Sequence, residues 1–286
     1  MKKFLTICLC AVMLCGIFLF SGCAKDENTL VLGLDASFAP MGFKDDNNEI
    51  VGFDIDVARE VCKRIGMNLE CKEIIWAQNL SELNNKSIDC VWNGMSINAE
   101  REAGMLLTPP YMNNRMVFAV KTDSDIQSVE QLTGKKIATQ SGSEGEKALE
   151  ASGMQFDKVA HADYAMAYNE LELGLVDAVL VDEVAVQYMI KSQNKDFRIL
   201  DEALGDDLYV IGFRKEDTQL KDKVWNAIKE MKEDGTLKQI SEKWFGSDFV
   251  CNRKRNCCII RHTIRISYCE NTLEECNEKG VLNEHK

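Results

Sequence analysis

The chain has 286 residues and a formal net charge of −12, which argues against nucleic acid or an anionic lipid surface as the partner of its folded body. Between an apolar N-terminal run and about Phe249 there is enough chain for one large domain or for two lobes of roughly 100 residues each.

Met1-Lys2-Lys3 is a short basic region, followed by an apolar run from Phe4 to Phe20 and then Ser21-Gly22-Cys23. This is the layout of a secretory signal over residues 1–22 rather than of a spanning helix. Small residues directly before a cysteine resemble a lipobox, the processing site of bacterial lipoproteins, with Phe20 where a branched aliphatic is usual. The resemblance implies cleavage before Cys23, a diacylglycerol on its thiol and a short linker over 23–28. The protein would then sit on the outer face of the cell membrane, at the cell surface or in the periplasm, because two hydrocarbon tails suffice for stable attachment. An ordinary signal peptide with a free Cys23 thiol is the alternative.

Beyond the linker, short apolar strands alternate with amphipathic helices. A strand over 29–34 is followed by a helix over 53–65, whose Val57, Ala58, Val61 and Ile65 share one face. Further strands are predicted at 68–75, 89–92, 116–121, 136–139, 178–181 and 208–213. Helices are predicted at 143–152, 163–173, 183–192 and 220–232. This rhythm implies a mostly parallel α/β sheet covered on both faces, with ligands at the carboxyl ends of its strands. Cys62, Cys71 and Cys90 are odd in number and match no metal spacing. They read as buried small hydrophobes, with a disulfide between two of them as the alternative in an oxidising compartment.

The stretch Gly94-Met95-Ser96-Ile97-Asn98-Ala99-Glu100-Arg101 sets an arginine five residues beyond a small hydroxyl. Asn98 reads as a helix N-cap, which places Arg101 in the first turn. A guanidinium fork there can face the Ser96 hydroxyl and the exposed amides of the turn, a match for both oxygens of a carboxylate. Taken alone, an arginine on a solvated helix face is the plainer reading.

Several segments then fall in a familiar order: Asp35 to Phe43, Val51 to Asp56, Asp89 to Arg101, Pro110-Tyr111, Lys135 to Ser143, Asp177 to Asp182 and Lys243-Trp244-Phe245-Gly246. Together they resemble the polar amino acid solute-binding proteins of ABC importers, of the type II periplasmic class, from Thr29 to about Ser247. The resemblance implies an α/β fold of two lobes, each with a mostly parallel sheet. Lobe one would comprise 29–110 and 212–249 and lobe two 115–206, joined by crossing segments near 111–114 and 207–211. It also implies a monomer with no cofactor or metal, which takes a free L-amino acid between closing lobes and delivers it to a permease and, through it, an ATPase.

An enclosed zwitterion needs a partner for each charge. By motif position, Arg101 would take the α-carboxylate, with Ser96 and the amides of Ser143 and Glu144. Ser141-Gly142-Ser143 opens a helix whose N–H groups can face an anion, although a capped helix needs no ligand. Asp182 would take the α-ammonium with the Gly94 carbonyl; an N-cap for the following helix is its plainer reading. Phe38 and Trp76 stand where relatives clamp the ligand's stem, though aromatics near strand ends also fill cores. Asp35, Asn93 and Gln140 would face the end of the side chain, with Asn93 and Gln140 departing from the residues of many relatives. One carboxylate and two amides favour a neutral polar amino acid or cystine, then a basic one, and disfavour glutamate and aspartate.

Two other classes compete. An enzyme on the same lobes, similar to cyclohexadienyl dehydratase, would need a spare general acid or base. An amino-acid sensor or receptor module would be expected to carry a span or a signalling domain. Residues 250–286, with Cys251, Cys257, Cys258, Cys269 and Cys276, lack apolar periodicity and any structural zinc spacing, even with His262 and His285 nearby. They read as an atypical, out-of-frame or read-through tail without order.

Overall fold

The computed structural model describes residues 28–246 and 248–250. The signal segment, Cys23 and the cysteine-bearing tail from Cys251 onward lie outside the described residues. Among those described, no helix is long and apolar enough to cross a membrane.

The first half of the chain builds β1 (Thr29–Leu34), a small sheet of β2 (Ser37–Phe38), β3 (Gly42–Lys44) and β4 (Ile50–Val51), and helix α1 (Phe53–Ile65). It continues through β5 (Asn68–Glu73), α2 (Asn79–Asn84), β6 (Cys90–Ser96), α3 (Ala99–Gly104) and β7 (Leu106–Leu107). The second half runs through β8 (Met112–Lys121), β9 (Lys136–Gln140), α4 (Glu144–Ala151), β10 (Asp157–His161), α5 (Tyr164–Leu173) and β11 (Ala178–Asp182). It closes with α6 (Glu183–Ser192), β12 (Phe197–Phe213), α7 (Thr218–Glu233) and α8 (Thr236–Phe245).

The main sheet has the order β10-β9-β11-β8-β12-β6-β1-β5, with β7 on β12. Its two flanks are parallel: β5-β1-β6 on one side and β10-β9-β11 on the other. Between them β8 and β12 run antiparallel to each other and to their neighbours. β12 therefore pairs with β8 over its first part and with β6 and β7 over its last, joining the two parallel sets into one mostly parallel α/β sheet.

Local chemistry explains α1. Asp54 and Asp56 occupy its first turn and Lys63 and Arg64 its last, each matching the helix dipole, and Gly66 ends it in the left-handed conformation. Val57, Ala58 and Val61 are fully buried, and Ile65 packs half-buried against the same core. Cys62 and Cys90 are buried free thiols, whereas Cys71 is only half-buried, so the expectation of three buried cysteines holds for two.

Sequence patterning missed β10, α2, α8 and the small sheet. It also started β12 eleven residues late, because residues 197–207 mix acids and a glycine without alternation. Register shifts at 199–203 and 203–205 let the ladder continue through that irregular run.

The C-terminal helices return to α1. Trp244 Nε1 and Lys243 Nζ donate to Asp56 Oδ2 at 2.8 and 2.6 Å, while Phe245 packs on Phe53 with ring centroids 5.1 Å apart. Val250 then bridges Met112, so the first residue of the expected tail joins the described fold. Trp244→Ala removes both the indole donor and its edge contact with Phe43. It should lower stability by about 2–3 kcal/mol in urea unfolding; an unchanged midpoint would show that the motif does not hold the C-terminus.

Candidate functional site

The site begins with a carboxylate that never reaches it. Asp54, fully buried in the first turn of α1, accepts the Gly94 amide at 2.7 Å on one oxygen and the Tyr111 hydroxyl at 2.7 Å on the other. Gly94 adopts φ +57°, and a Cβ there would lie 2.9 Å from Phe38 Cε1, so the position admits only glycine. Burial pushes the Asp54 carboxyl up to about 7.

Two residues on, β6 ends at Ser96. Asn98 caps α3 by accepting the Arg101 amide at 2.9 Å, as the spacing predicts. Arg101 is buried, donates to the Ser96 carbonyl at 2.5 Å and to the Gly142 carbonyl at 3.5 Å, and lies 5.7 Å from the Trp76 ring centroid. The Ser96 hydroxyl, expected beside the guanidinium, instead donates to Asp207 Oδ2 at 2.6 Å. Asp207 comes from β12, and nothing near Ser96 in sequence announces it.

The opposite wall opens with Ser143, the N-cap of α4. Its hydroxyl accepts the Glu146 amide at 3.1 Å and donates to the Gln140 carbonyl at 2.7 Å, and its own amide is turned to that carbonyl at 3.3 Å. Of the two amides expected to face a carboxylate, the Ser143 N–H is thus spent in a turn. The Glu144 N–H, at the first position of α4, has no acceptor within the helix. The Glu144 side chain spans the cleft and accepts from Asn98 Nδ2 at 2.7 Å, with its carboxyl pushed up by burial.

Asp182 ends β11 beside α6, yet its side chain makes no cap hydrogen bond, which removes the N-cap alternative. Its Oδ1 accepts Asn114 Nδ2 and the Tyr209 hydroxyl, each at 2.6 Å. Burial first, then the neighbouring Asp207, push the Asp182 carboxyl up to about 7.

A narrow cleft opens between these two walls. One wall carries Phe38, Trp76, Asn93, Gly94, Ser96 and Arg101; the other carries Gln140, Ser143, Glu144, Tyr164 and Asp182. Asp35, expected among them, is set back. One of its oxygens accepts from the Ser37 amide and hydroxyl at 2.9 and 2.7 Å, and the other accepts Gln140 Nε2 at 2.6 Å.

Tyr164 was missed by sequence reasoning. It lies against Phe38, the rings tilted with centroids 5.6 Å apart, and donates to the Ser143 hydroxyl at 3.2 Å. Its only sequence signal is an aromatic directly after the Asp163 N-cap, which reads equally well as core.

Residues 30–247 match the model of the bacterial extracellular solute-binding proteins, family 3. The chain belongs to that family. It is 31% identical over 226 residues to the L-cystine-binding protein TcyJ of Escherichia coli (strain K12), covering 78% of this chain and 85% of that one. It is 34% identical over 227 residues to the L-cystine-binding protein TcyA of Bacillus subtilis (strain 168), covering 78% and 84%. Its fold superposes with a TM-score of 0.75 and 30% identity on a histidine-bound ABC uptake transporter substrate-binding protein from Streptococcus pneumoniae, covering 79% of this chain and 95% of that one. The two-lobed α/β architecture of these proteins is the fold described above. These relatives are binding proteins rather than enzymes.

The Asp54 anchor gives a pH-dependent expectation. Its folded pKa stands near 7, above the ordinary carboxyl value, so its contribution to stability is fully present below about pH 4 and is lost as pH rises through 7. Asp182 shares this window and direction. Asp54→Asn should therefore make the loss of urea stability between pH 4 and 7 shallower without abolishing it. Asp54→Ala, which strands the Gly94 amide and the Tyr111 hydroxyl, should cost about 2–4 kcal/mol near pH 4, with the cost shrinking as pH rises to 7. An unchanged pH slope in the Asn variant would remove Asp54 as a source of it.

Proposed function

We propose that the protein is the amino-acid-binding component of an ABC importer, held outside the cytoplasmic membrane by a lipid on Cys23. It captures one free L-amino acid as a monomer and presents it to a permease coupled to an ATPase. The observation that carries this reading is a cleft lined by both buried Arg101 and buried Asp182, one cation and one carboxyl. A zwitterion satisfies both at once, whereas leaving either bare in a water-excluding site is costly.

Within this reading, lobe one comprises 29–110 and 212–249 and lobe two 115–206, and closure bends β8 and β12 where they cross. Arg101 and the Glu144 amide hold the α-carboxylate. Asp182, the Gly94 carbonyl and the Ser96 oxygen hold the α-ammonium. Phe38, backed by Tyr164, and Trp76 flank the aliphatic stem.

The side-chain end is lined by Asn93 and Gln140, two amides, with Asp35 set back behind Gln140. This supports a neutral polar ligand or cystine first, a basic one second and an acidic one last. The names of the cystine-binding relatives support the same ranking.

A thermal-shift screen of the common L-amino acids and L-cystine should give its largest shift with a neutral polar amino acid or cystine. A ligand at 100 times its dissociation constant adds about 2.7 kcal/mol. A largest shift with glutamate or aspartate would overturn the pocket reading, and no shift at all would overturn the function. With the best ligand, Arg101→Ala and Asp182→Ala should each weaken calorimetric binding by about 2–5 kcal/mol. A variant that binds as tightly as the parent would place its residue outside the site.

A further inference from the structure

Two buried carboxylates meet beneath the cleft. Asp182 closes β11 and Asp207 lies in β12, and they are 5% and 7% exposed. One amide group joins them: Asn114 Nδ2, from β8, donates to Asp182 Oδ1 at 2.6 Å and to Asp207 Oδ2 at 3.0 Å. Asp207 also accepts the Ser96 hydroxyl at 2.6 Å and the Leu208 amide at 2.7 Å, and Asp182 accepts the Tyr209 hydroxyl. None of these donors carries a charge.

The surrounding groups do not supply the missing cation. Arg101, from α3, is directed to the Ser96 and Gly142 carbonyls and faces Glu144 of α4 as well as the pair. Tyr164 and Tyr168 approach from α5 and Tyr209 from β12, all as phenols. Glu183, on α6, is taken by Arg115 of β8. Three carboxyls thus share one guanidinium. Two of them, bridged by a single amide in a desolvated place, cannot both stay ionised without a positive partner.

We infer that Asp207 is a positioning residue of the ammonium end of the site, acting through Asn114 and Ser96, and that the Asp182–Asp207 pair holds a proton in the empty cleft and releases it as the ligand's ammonium arrives. This rests on the amino-acid reading. The exchange balances: one proton leaves the pair for solvent, one ammonium charge enters, and no covalent bond forms. Burial raises both carboxyls, and repulsion by Asp207 adds to it at Asp182, in keeping with this. Because the ionised pair is the binding form, affinity rises with pH below the midpoint of the pair, by up to about tenfold per unit, and levels off above it.

The pairing is read directly by carbon-13 titration of aspartate carboxyls in the ligand-free full chain. In the parent, Asp182 and Asp54 should both titrate near neutrality. In Asp207→Asn the Asp182 midpoint should fall by at least about one unit while Asp54, which shares no hydrogen-bond partner with Asp207, stays in place and reports an intact fold. In Asn114→Ala, which removes the bridge, the Asp182 midpoint should rise. An Asp182 carboxyl already ionised at pH 5 in the parent, or one indifferent to Asp207→Asn, overturns the pairing.

Calorimetry at pH 6 in buffers of differing ionisation enthalpy, with L-cystine, L-glutamine and L-arginine as probes, reads the coupling. The parent should release close to one proton per amino acid bound and Asp207→Asn less than half of that. Binding by the parent without proton release overturns the coupling. If none of the probes binds, that failure falls on the ligand reading, and the carboxyl titration still decides the pair.

Discussion

The site depends on one buried carboxylate placed where no ligand can touch it. Asp54 holds the Gly94 amide where the β6–β12 register shifts, and Gly94 lines the cleft at that point. The same side chain holds Tyr111, directly before β8 leaves for the second half of the sheet. Helix α1, the binding strand and the start of the crossing are therefore fixed by a single group. Its charge is expensive to bury, and the two hydrogen bonds offset part of that cost.

Contacts between the two walls show what closure asks of the side chains. Asn98 reaches Glu144, Gln140 reaches Asp35, Lys147 pairs with Glu100, and Phe43 lies 5.8 Å from Tyr188. Gly142 matters here for its bareness: a Cβ at this residue would stand 2.9 Å from the Ala77 backbone. The rim is thus closed by protein groups that pair with one another. In the proposed function the two ligand charges fall to Arg101 and Asp182, both buried and both lining the cleft. Each wall contributes one of them, so a zwitterion bound between them would draw the walls together.

Much of this was legible in the sequence because it is local. The ends of α1 coincide with expectation, since its acids, bases and terminal glycine all act within a turn of the helix. Asn98 capped Arg101 for the same reason. The walls of the cleft also followed from motif order, with Phe38, Trp76 and Arg101 on one side and Ser143 and Asp182 on the other. What sequence could not show was the direction of hydrogen bonds between distant strands. The Ser96 hydroxyl turns to Asp207, 111 residues away. Asn114 and Asp207 sit on crossing strands whose irregular register hides any period. Asp54 looks like an ordinary first-turn acid until its partners 40 and 57 residues on are known. Asp35 reads as a cleft residue until Gln140, 105 residues later, covers it.

The clasp of Trp244 and Lys243 on Asp56 has a consequence for how the molecule is made. These partners are separated by 188 and 187 residues, and β12 completes the β6 edge only after the whole β8–β11 segment has been laid down. The β9–β11 set closes on near neighbours, so it can assemble while the chain is still emerging. The β5-β1-β6 set must wait for the last helices. Its apolar α1 face stays uncovered in the interval, the kind of surface that slows folding and invites association. A chain exported unfolded would thus finish its first half last, and the final turn of α8 would set when the protein becomes fit to bind.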